Sequence, residues 1–141
     1  MTYALAWSLQ EAVHAALAAS PDVTALVAGR IWDATPPTSG SAADAPLYVV
    51  IGDETVQDWS TADTGGAAHT LGLTVYAAER SFADAKRLAG AICDTLCDAP
   101  LPMSRGRAVL VTFLSARTRR EERDRVRRID LRFRVLVEDI A

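Results

Sequence analysis

The sequence has 141 residues, half of them apolar and 23% charged, with a formal net charge of -3. This balance is typical of a globular protein rather than a disordered or membrane protein, and the length predicts one domain over residues 1–141. No apolar run approaches the ~18 residues that a membrane-spanning helix needs, so no membrane partner is expected. Because Glu11 interrupts an N-terminal segment without a basic leader, we expect no secretory signal and a protein that stays in the cell that makes it.

The N-terminal part predicts two helices. From residue 4 to residue 19 apolar residues recur at spacings of three and four, as on one helix face, while Trp7 lies off that stripe. Ser20 and Pro21 then end this helix and begin a shorter one through Val27, with Ser20 as N-cap. A short β-prone segment at residues 30–33 follows, and the small and turn-forming residues 34–46 predict an irregular loop.

The middle of the chain predicts a hairpin and a second main helix. Residues 47–59 and 69–78 both contain alternating apolar positions, which predicts two antiparallel strands. The connection at residues 60–68 is rich in glycine and is expected to be a flexible loop. Residues 82–97 show a second amphipathic helical pattern that ends before the proline-containing stretch 98–102.

Two further strands are predicted near the C-terminus. Between residues 107 and 117, Val109, Val111 and Phe113 alternate with Ala108, Leu110, Thr112 and Leu114, which predicts a central strand covered on both sides. Residues 117–124 predict a charged turn. Residues 126–138 alternate, with apolar odd positions from Ile129 to Val137 and charged even positions at Arg128, Asp130, Arg132 and Arg134, while Leu136 and Glu138 complete the even row. The element order predicts an α+β fold, with a mostly antiparallel sheet of four to five strands and two main helices packed on one face.

The charge is divided unevenly along the chain. Residues 1–100 contain 4 Lys+Arg and 12 Asp+Glu, a balance of -8, whereas residues 101–141 contain 11 and 6, a balance of +5. Nearly all basic residues are arginine, whose planar fork of donors binds carboxylates and phosphates alike, so the late arginines predict a contact surface. Acidic residues at 121, 122, 124 and 130 lie among them, which favours a protein partner over a phosphate track. A solvated face of mutually paired charges is the alternative.

The same residues predict no enzyme, metal site or cofactor. Asp53 and Glu54 are adjacent on a strand and are expected to point to opposite faces, so they cannot share one substrate atom. Cys93 and Cys97 lie four apart on one helix face, where a disulfide would close a very short loop, so both are expected to be buried, reduced thiols. Together with His69 they would form a metal site that lacks a fourth ligand.

Five segments, in this order and spacing, carry a resemblance to a known family: SPDVTALVAGRIWDATPP, APLYVVIGDETVQDWST, GGAAHTLGLTVYA, FADAKRLAGAICDTLCDAPL and VLVTFLSARTRREERDRVRRIDLRFRVLVE. Over nearly its full length the chain resembles the small tail-completion or tail-terminator proteins of long-tailed phages, prophages and gene transfer agents. The gene transfer agent type is the nearest likeness. The resemblance implies a structural protein without catalytic residues.

The resemblance also implies partners and a location. Family members form a homo-oligomeric ring, typically hexameric, on the head-proximal end of the tail tube, where they stop polymerisation of the tube protein and join the tail to the head connector, or stopper, protein. DNA passes through the lumen of the ring without specific binding. The expected location is therefore the tail of a virion or phage-like particle, assembled in the host cytoplasm.

Combined with the charge pattern, the resemblance predicts where this chain meets its neighbours. The expected subunit or partner interface contains the late arginines and one tryptophan: Arg117, Arg119, Arg120, Arg123, Arg128, Arg132, Arg134 and Trp59. The loops at 34–46 and 60–68 are expected to be docking arms that order on assembly. Two alternatives are another head-tail connector ring, such as the stopper, and a nucleic-acid-binding domain that uses the C-terminal arginines.

Overall fold

The computed structural model describes residues 3–33, 47–78, 81–97, 100–121 and 126–139, so the expected loop at 34–46 and Arg123 lie outside the described residues. Within these ranges the elements are, in chain order, α1 (Ala6–Ala19), α2 (Pro21–Val27), β1 (Ile31–Trp32), β2 (Tyr48–Asp58), β3 (Gly65–Ala78), α3 (Phe82–Cys97), β4 (Arg107–Glu121) and β5 (Val126–Asp139).

The strands form a five-stranded sheet in the order β1-β2-β3-β5-β4. All neighbouring strands are antiparallel except β1, which pairs in parallel with Val49 and Val50 of β2. The core lies between one face of the sheet and the buried sides of the three helices, where Leu9, Leu88 and Leu131 belong to one hydrophobic cluster. The predicted α+β class, with helices on one face of a mostly antiparallel sheet, is confirmed.

The helices match the predicted segments, except that α1 begins at Ala6, two residues after the predicted start. Ser20 caps α2, because its Oγ accepts a hydrogen bond from the backbone N–H of Val23 at 3.4 Å and Pro21 occupies the first turn. The chain then leaves α2 through two left-handed residues, Ala28 at φ 49° and Gly29 at φ 84°. On α1, Leu9 and Leu17 are fully buried whereas Trp7 is 67% exposed, as its position off the apolar stripe predicts.

Strand β5 is the element with the clearest two-faced pattern. Its odd positions from Ile129 to Val137 are all buried under the helices, and Phe133 is fully buried. Arg132 and Arg134 are exposed on the other side of the sheet, which none of the three described helices covers. We call this side the open face. The predicted alternation is confirmed, because a pleated strand directs successive side chains to opposite faces.

The predicted position of β4 is wrong. β4 pairs with β5 alone and lies at the edge of the sheet, not in its centre. Its apolar positions remain accordingly accessible, with Leu110 54% and Phe113 44% exposed. The strand also continues through Glu121, so Arg117, Arg119 and Arg120 lie on a strand and not in a turn.

The hairpin of β2 and β3 is longer than predicted. β3 begins at Gly65, so the connection shortens to residues 59–64 and the glycine pair belongs to the strand. Gly66 is required there because a Cβ would lie 2.9 Å from the carbonyl oxygen of Trp59 and 3.3 Å from its ring carbon Cε3. The expected docking arm at 60–68 is therefore a short loop closed by the backbone hydrogen bond from Trp59 N–H to the Gly66 carbonyl, at 2.9 Å.

We expect Phe133→Ala to lower the free energy of unfolding by about 3 to 5 kcal/mol, since it empties a fully buried ring site. The neighbouring change Arg132→Ala is the matched control and should alter stability by no more than about 0.5 kcal/mol. Urea denaturation of both variants measures the difference. Equal losses would contradict the assigned register, because a slip of one residue exchanges the two faces of a strand.

Candidate interaction surfaces

The open face carries the arginines of β5 in two different settings. Asp130 forms ion pairs with Arg128 at 3.3 Å and with Arg119 of β4 at 3.5 Å, and it accepts a hydrogen bond from the hydroxyl of Thr74 at 3.0 Å. These charges are paired with each other, as the alternative of a mutually paired face predicts, although one carboxylate compensates only one of the two arginines. Such partly exposed pairs contribute little, about 0 to 1 kcal/mol each.

Arg132 and Arg134 are in the other setting. Their partners across the sheet are Gly72 and Thr70 on β3 and Ser115 and Thr112 on β4, all of them uncharged. Within the described residues no ion pair or side-chain hydrogen bond involves either arginine. Two adjacent exposed guanidinium groups with uncharged neighbours are free to bind an acidic partner.

Arg117 and Arg119 of β4 continue the open face at the edge of the sheet, whereas Arg120 pairs in register with Arg127 and lies on the helix side. Arg117, Arg119 and Arg120 are all exposed, and Arg117 lies opposite Asp130 of β5. By contrast, the two arginines at the start of β4 are paired: Arg105 with Asp139 at 2.7 Å, and Arg107 with Glu138. The hydrogen bond from Arg105 lowers the pKa of Asp139. Apart from the arginines paired with Asp139 and Glu138, the exposed arginines of this edge therefore lie toward the end of β4.

The predicted interface residues do not form one patch. Arg117, Arg119, Arg120, Arg128, Arg132 and Arg134 lie on the β4–β5 side of the sheet. Trp59 follows β2 on the opposite side, 44% exposed. The structure thus brings the arginines together on the open face, except Arg120, which lies on the helix side. Strand β3 lies between β5 and the strand that Trp59 follows, so the tryptophan is not part of this group.

One arginine that sequence reasoning passed over has a structural role. The guanidinium carbon of Arg127 lies 3.9 Å from the centroid of the Phe82 ring at the start of α3. This cation–π contact joins the beginning of β5 to α3. The alternation of β5 could have indicated this role, because Arg127 is an odd-numbered residue and the odd-numbered residues of β5 face the helices.

A buried polar chain links the helices to the hairpin. His69 is fully buried on β3, and its Nδ1 lies 2.9 Å from Oε2 of Glu54 on β2. The other oxygen of Glu54 accepts a hydrogen bond from the hydroxyl of Tyr3 at 2.7 Å. Sequence reasoning missed this chain because Tyr3 is 51 residues from Glu54. These hydrogen bonds hold the segment before α1 against the β2–β3 hairpin. The three side chains do not form a set of metal ligands.

The cysteines differ from their expected setting. Cys93 is half-buried, and burial raises the pKa of its thiol, but Cys97 is exposed. The prediction that both thiols are buried is therefore wrong for Cys97, which lies at the end of α3 where the helix leaves the core. Both are free thiols. Across the described ranges no three His, Cys, Asp or Glu side chains are grouped to hold a metal ion.

Comparison with known proteins identifies the family. The sequence model of the family described as tail completion protein gp17 matches residues 11–138. The chain belongs to this family. Among solved structures, it is similar to a chain of the virion of a native gene transfer agent particle, with a TM-score of 0.86 and 42% sequence identity, over 97% of this chain and 99% of that one. A comparison with curated proteins finds no match.

This membership confirms the resemblance inferred from the sequence and supports a structural virion protein of the tail. None of the helices that the structure describes is both long and apolar enough to cross a membrane. The residues matched by the family model include the β2–β3 hairpin, which contains Glu54 and His69, and the arginine-bearing strands β4 and β5.

The pKa of Glu54 predicts how stability depends on pH. Burial alone would raise this pKa, but the hydrogen bonds with His69 and Tyr3 outweigh it, so the pKa lies below the ordinary value of 4.5. A carboxyl group with a lowered pKa in the folded state contributes stability above its unfolded pKa, and this contribution is lost as the pH falls through the folded value.

We therefore expect Glu54→Gln to cost about 1 to 2 kcal/mol at neutral pH, through the loss of charge-assisted hydrogen bonds. The difference from the parent protein should shrink as the pH falls below about 4.5. Denaturant unfolding between pH 7 and pH 3 measures it, with Asp53→Asn as the control for loss of an exposed carboxylate. A difference that stays constant over this range would contradict the assignment.

Proposed function

We propose that this tail completion protein forms a ring, of hexameric order, on the head-proximal end of the tail tube. The ring ends polymerisation of the tube protein and presents the surface to which the connector, or stopper, protein of the head is joined. DNA passes through its lumen. The role is structural, not catalytic, and its place is the tail of a phage-like particle assembled in the host cytoplasm. The observation that carries this proposal is the 42% identity, over 97% of the chain, to a chain of a gene transfer agent virion.

The charges of the molecule support a role in assembly. A ring of identical subunits needs two different and complementary patches on each subunit. The basic surface of Arg117, Arg132 and Arg134 provides one such patch, which we propose contacts acidic groups of a neighbouring subunit, the tube or the connector. Arg119 and Arg128 are proposed to contribute to the same surface, Arg120 to a contact on the helix side of the sheet, and Trp59 to a separate contact beside β2. Arg123, which lies outside the described residues, stays an expected interface residue.

Deletion of the gene in frame tests the proposal in the whole particle. Because the ring is proposed to end the tube, we expect particles from the deletion strain to have abnormally long tails, together with DNA-filled heads that lack tails. Electron microscopy of negatively stained particles measures both. A plasmid copy of the intact gene should restore normal tails. Tails of normal length attached to heads would refute the proposed function.

The basic surface has its own test. We expect the double change Arg132→Ser and Arg134→Ser to reduce the joining of heads to tails by about tenfold or more, since each charged hydrogen bond lost at an interface costs about 1.5 to 3 kcal/mol. Arg87→Ser removes an exposed arginine of α3 and serves as the matched control. Counting joined particles by electron microscopy gives the result. Joining at the parent level would exclude these two arginines from the interface.

Nucleic-acid binding is the second candidate, and the free guanidinium groups of Arg132 and Arg134 favour it. Phosphate contacts release counterions, so a DNA-binding surface would bind duplex DNA with an affinity that falls steeply with salt. Asp130 lies between Arg128 and these two arginines, and its negative charge interrupts a continuous surface for binding DNA phosphates. Retention of the isolated protein on duplex DNA at 50 mM salt and its release at 200 mM would favour this candidate.

A further inference from the structure

The exposed large apolar side chains lie at the two opposite sides of the sheet. Within the described residues there are eight of them. Four lie on edge strand β4: Val109, Leu110, Phe113 and Leu114. The other four lie on the side of β1 and β2: Tyr3, Trp7, Trp32 and Trp59. We call these two sides the β4 edge and the β1–β2 edge.

The β1–β2 edge contains a groove suited to binding a cationic side chain. Trp7 of α1 and Trp32 of β1 line one groove, together with the carboxylate-bearing residues Glu11 and Asp33. On the same side of the sheet, the hydroxyl of Tyr3 donates a hydrogen bond to Glu54 of β2. Aromatic faces beside carboxylates bind guanidinium groups well, because stacking and ion pairing act on the same planar cation.

The β4 edge carries matching groups. Its first half presents the four exposed apolar side chains, and its second half presents Arg117, Arg119 and Arg120, all exposed. One edge is therefore apolar and basic, and the other is aromatic and acidic. Two copies of the same edge would bring like charges together, whereas opposite edges attract each other.

The register of the sheet places the groups of the β4 edge and those of the β1–β2 edge at corresponding positions along the strands. A row of paired residues crosses the sheet from Trp32 through Val50, Thr74 and Asp130 to Arg117. When two copies stand side by side in the same orientation, the Arg117 end of one row meets the Trp32 end of the next. A second row ends at Phe113 on β4, and begins at Glu54, the partner of Tyr3, on β2.

The backbone of both edges is available for the same contact. β1 pairs with only two residues of β2, and among the described residues no strand pairs with the outer side of β2 from Ile51 to Asp58. Three antiparallel pairings separate β2 from β4, so β4 runs antiparallel to β2. A neighbour's β4 placed beside β2 therefore continues the antiparallel arrangement, the arrangement that permits a regular ladder of hydrogen bonds.

We infer that the β4 edge of one copy of this chain docks on the β1–β2 edge of the next copy. Arg117 meets Trp32 at the rim of the groove that Trp32 shares with Trp7, and the apolar half of β4 packs against the side of β2. The contact is head-to-tail, because the two surfaces differ, and this is the type of contact that closes into a ring. The inference rests on the proposed ring and specifies the surfaces that join its subunits.

Cysteine cross-linking in assembled particles tests the contact. In a background in which Cys93 and Cys97 are changed to Ala, the pair Trp32→Cys and Arg117→Cys places two thiols in neighbouring copies at the spacing of adjacent strands, about 5.5 Å between Cα atoms, which a disulfide spans. Oxidation of purified particles should give a ladder of linked subunits that ends at the closed ring. Non-reducing gel electrophoresis measures the ladder.

Mismatched and single variants are the controls. Trp32→Cys with Thr112→Cys displaces one thiol along the sheet by four positions of β5, about 13 Å at ~3.3 Å per residue, and should give at least about tenfold less linked product. Each single variant should give no linked dimer, because a head-to-tail contact never brings two copies of the same residue together.

The outcomes separate the contact from the proposed ring. A ladder from the matched pair alone supports the inference. Dimers from either single variant, or equal products from matched and mismatched pairs, overturn it. If particles contain rings by electron microscopy and the matched pair does not link, the contact is wrong while the ring stands. If deletion of the gene leaves tail length and joining normal, the proposed function itself fails, whatever the gel shows.

Discussion

The rest of the structure depends on the strict alternation of β5. This strand is paired along its length with β3 on one side and β4 on the other, so its register fixes the position of both neighbours. Its apolar side chains, with Phe133 fully buried, form the floor of the core on which the helices pack. Since a pleated strand cannot place adjacent side chains on one face, the same constraint places Arg132 and Arg134 on the open face. Stability and surface charge are thus set by one local pattern.

Elements with a local signal were predictable from the sequence. The three-and-four spacing of α1, the Ser20 cap and the alternation of β5 each arise from contacts between near neighbours in the chain, and each was confirmed. The class of fold followed from their order. The family resemblance supplied what the residues alone did not, namely a structural role in a tail, because no local motif expresses such a role.

The errors have a common physical origin in contacts between distant parts of the chain. β4 reads as a central strand because Leu110, Val111 and Phe113 are apolar at nearly successive positions, yet its place in the sheet depends on which strands pair, which no local pattern contains. The hydrogen bonds of Glu54 join it to His69 and Tyr3, which are 15 and 51 positions away in the sequence. A local sequence pattern could not predict them either. An apolar edge strand is conspicuous only once the topology is known, and it then indicates a partner rather than a core.

The two β-bulges of β4 reduce the tendency of the unassembled protein to aggregate through this edge strand. Pairing shifts register between Ala108 and Leu110 and again between Phe113 and Ser115, so Val109 and Leu114 are extra residues in the strand. A long apolar edge with regular spacing would accept any extended peptide and would promote amyloid-like stacking. Bulges interrupt that spacing and increase the local twist. The edge is thereby a poor template for indiscriminate strand addition, so the chain can remain dispersed in a crowded cell until it meets a surface of matching shape.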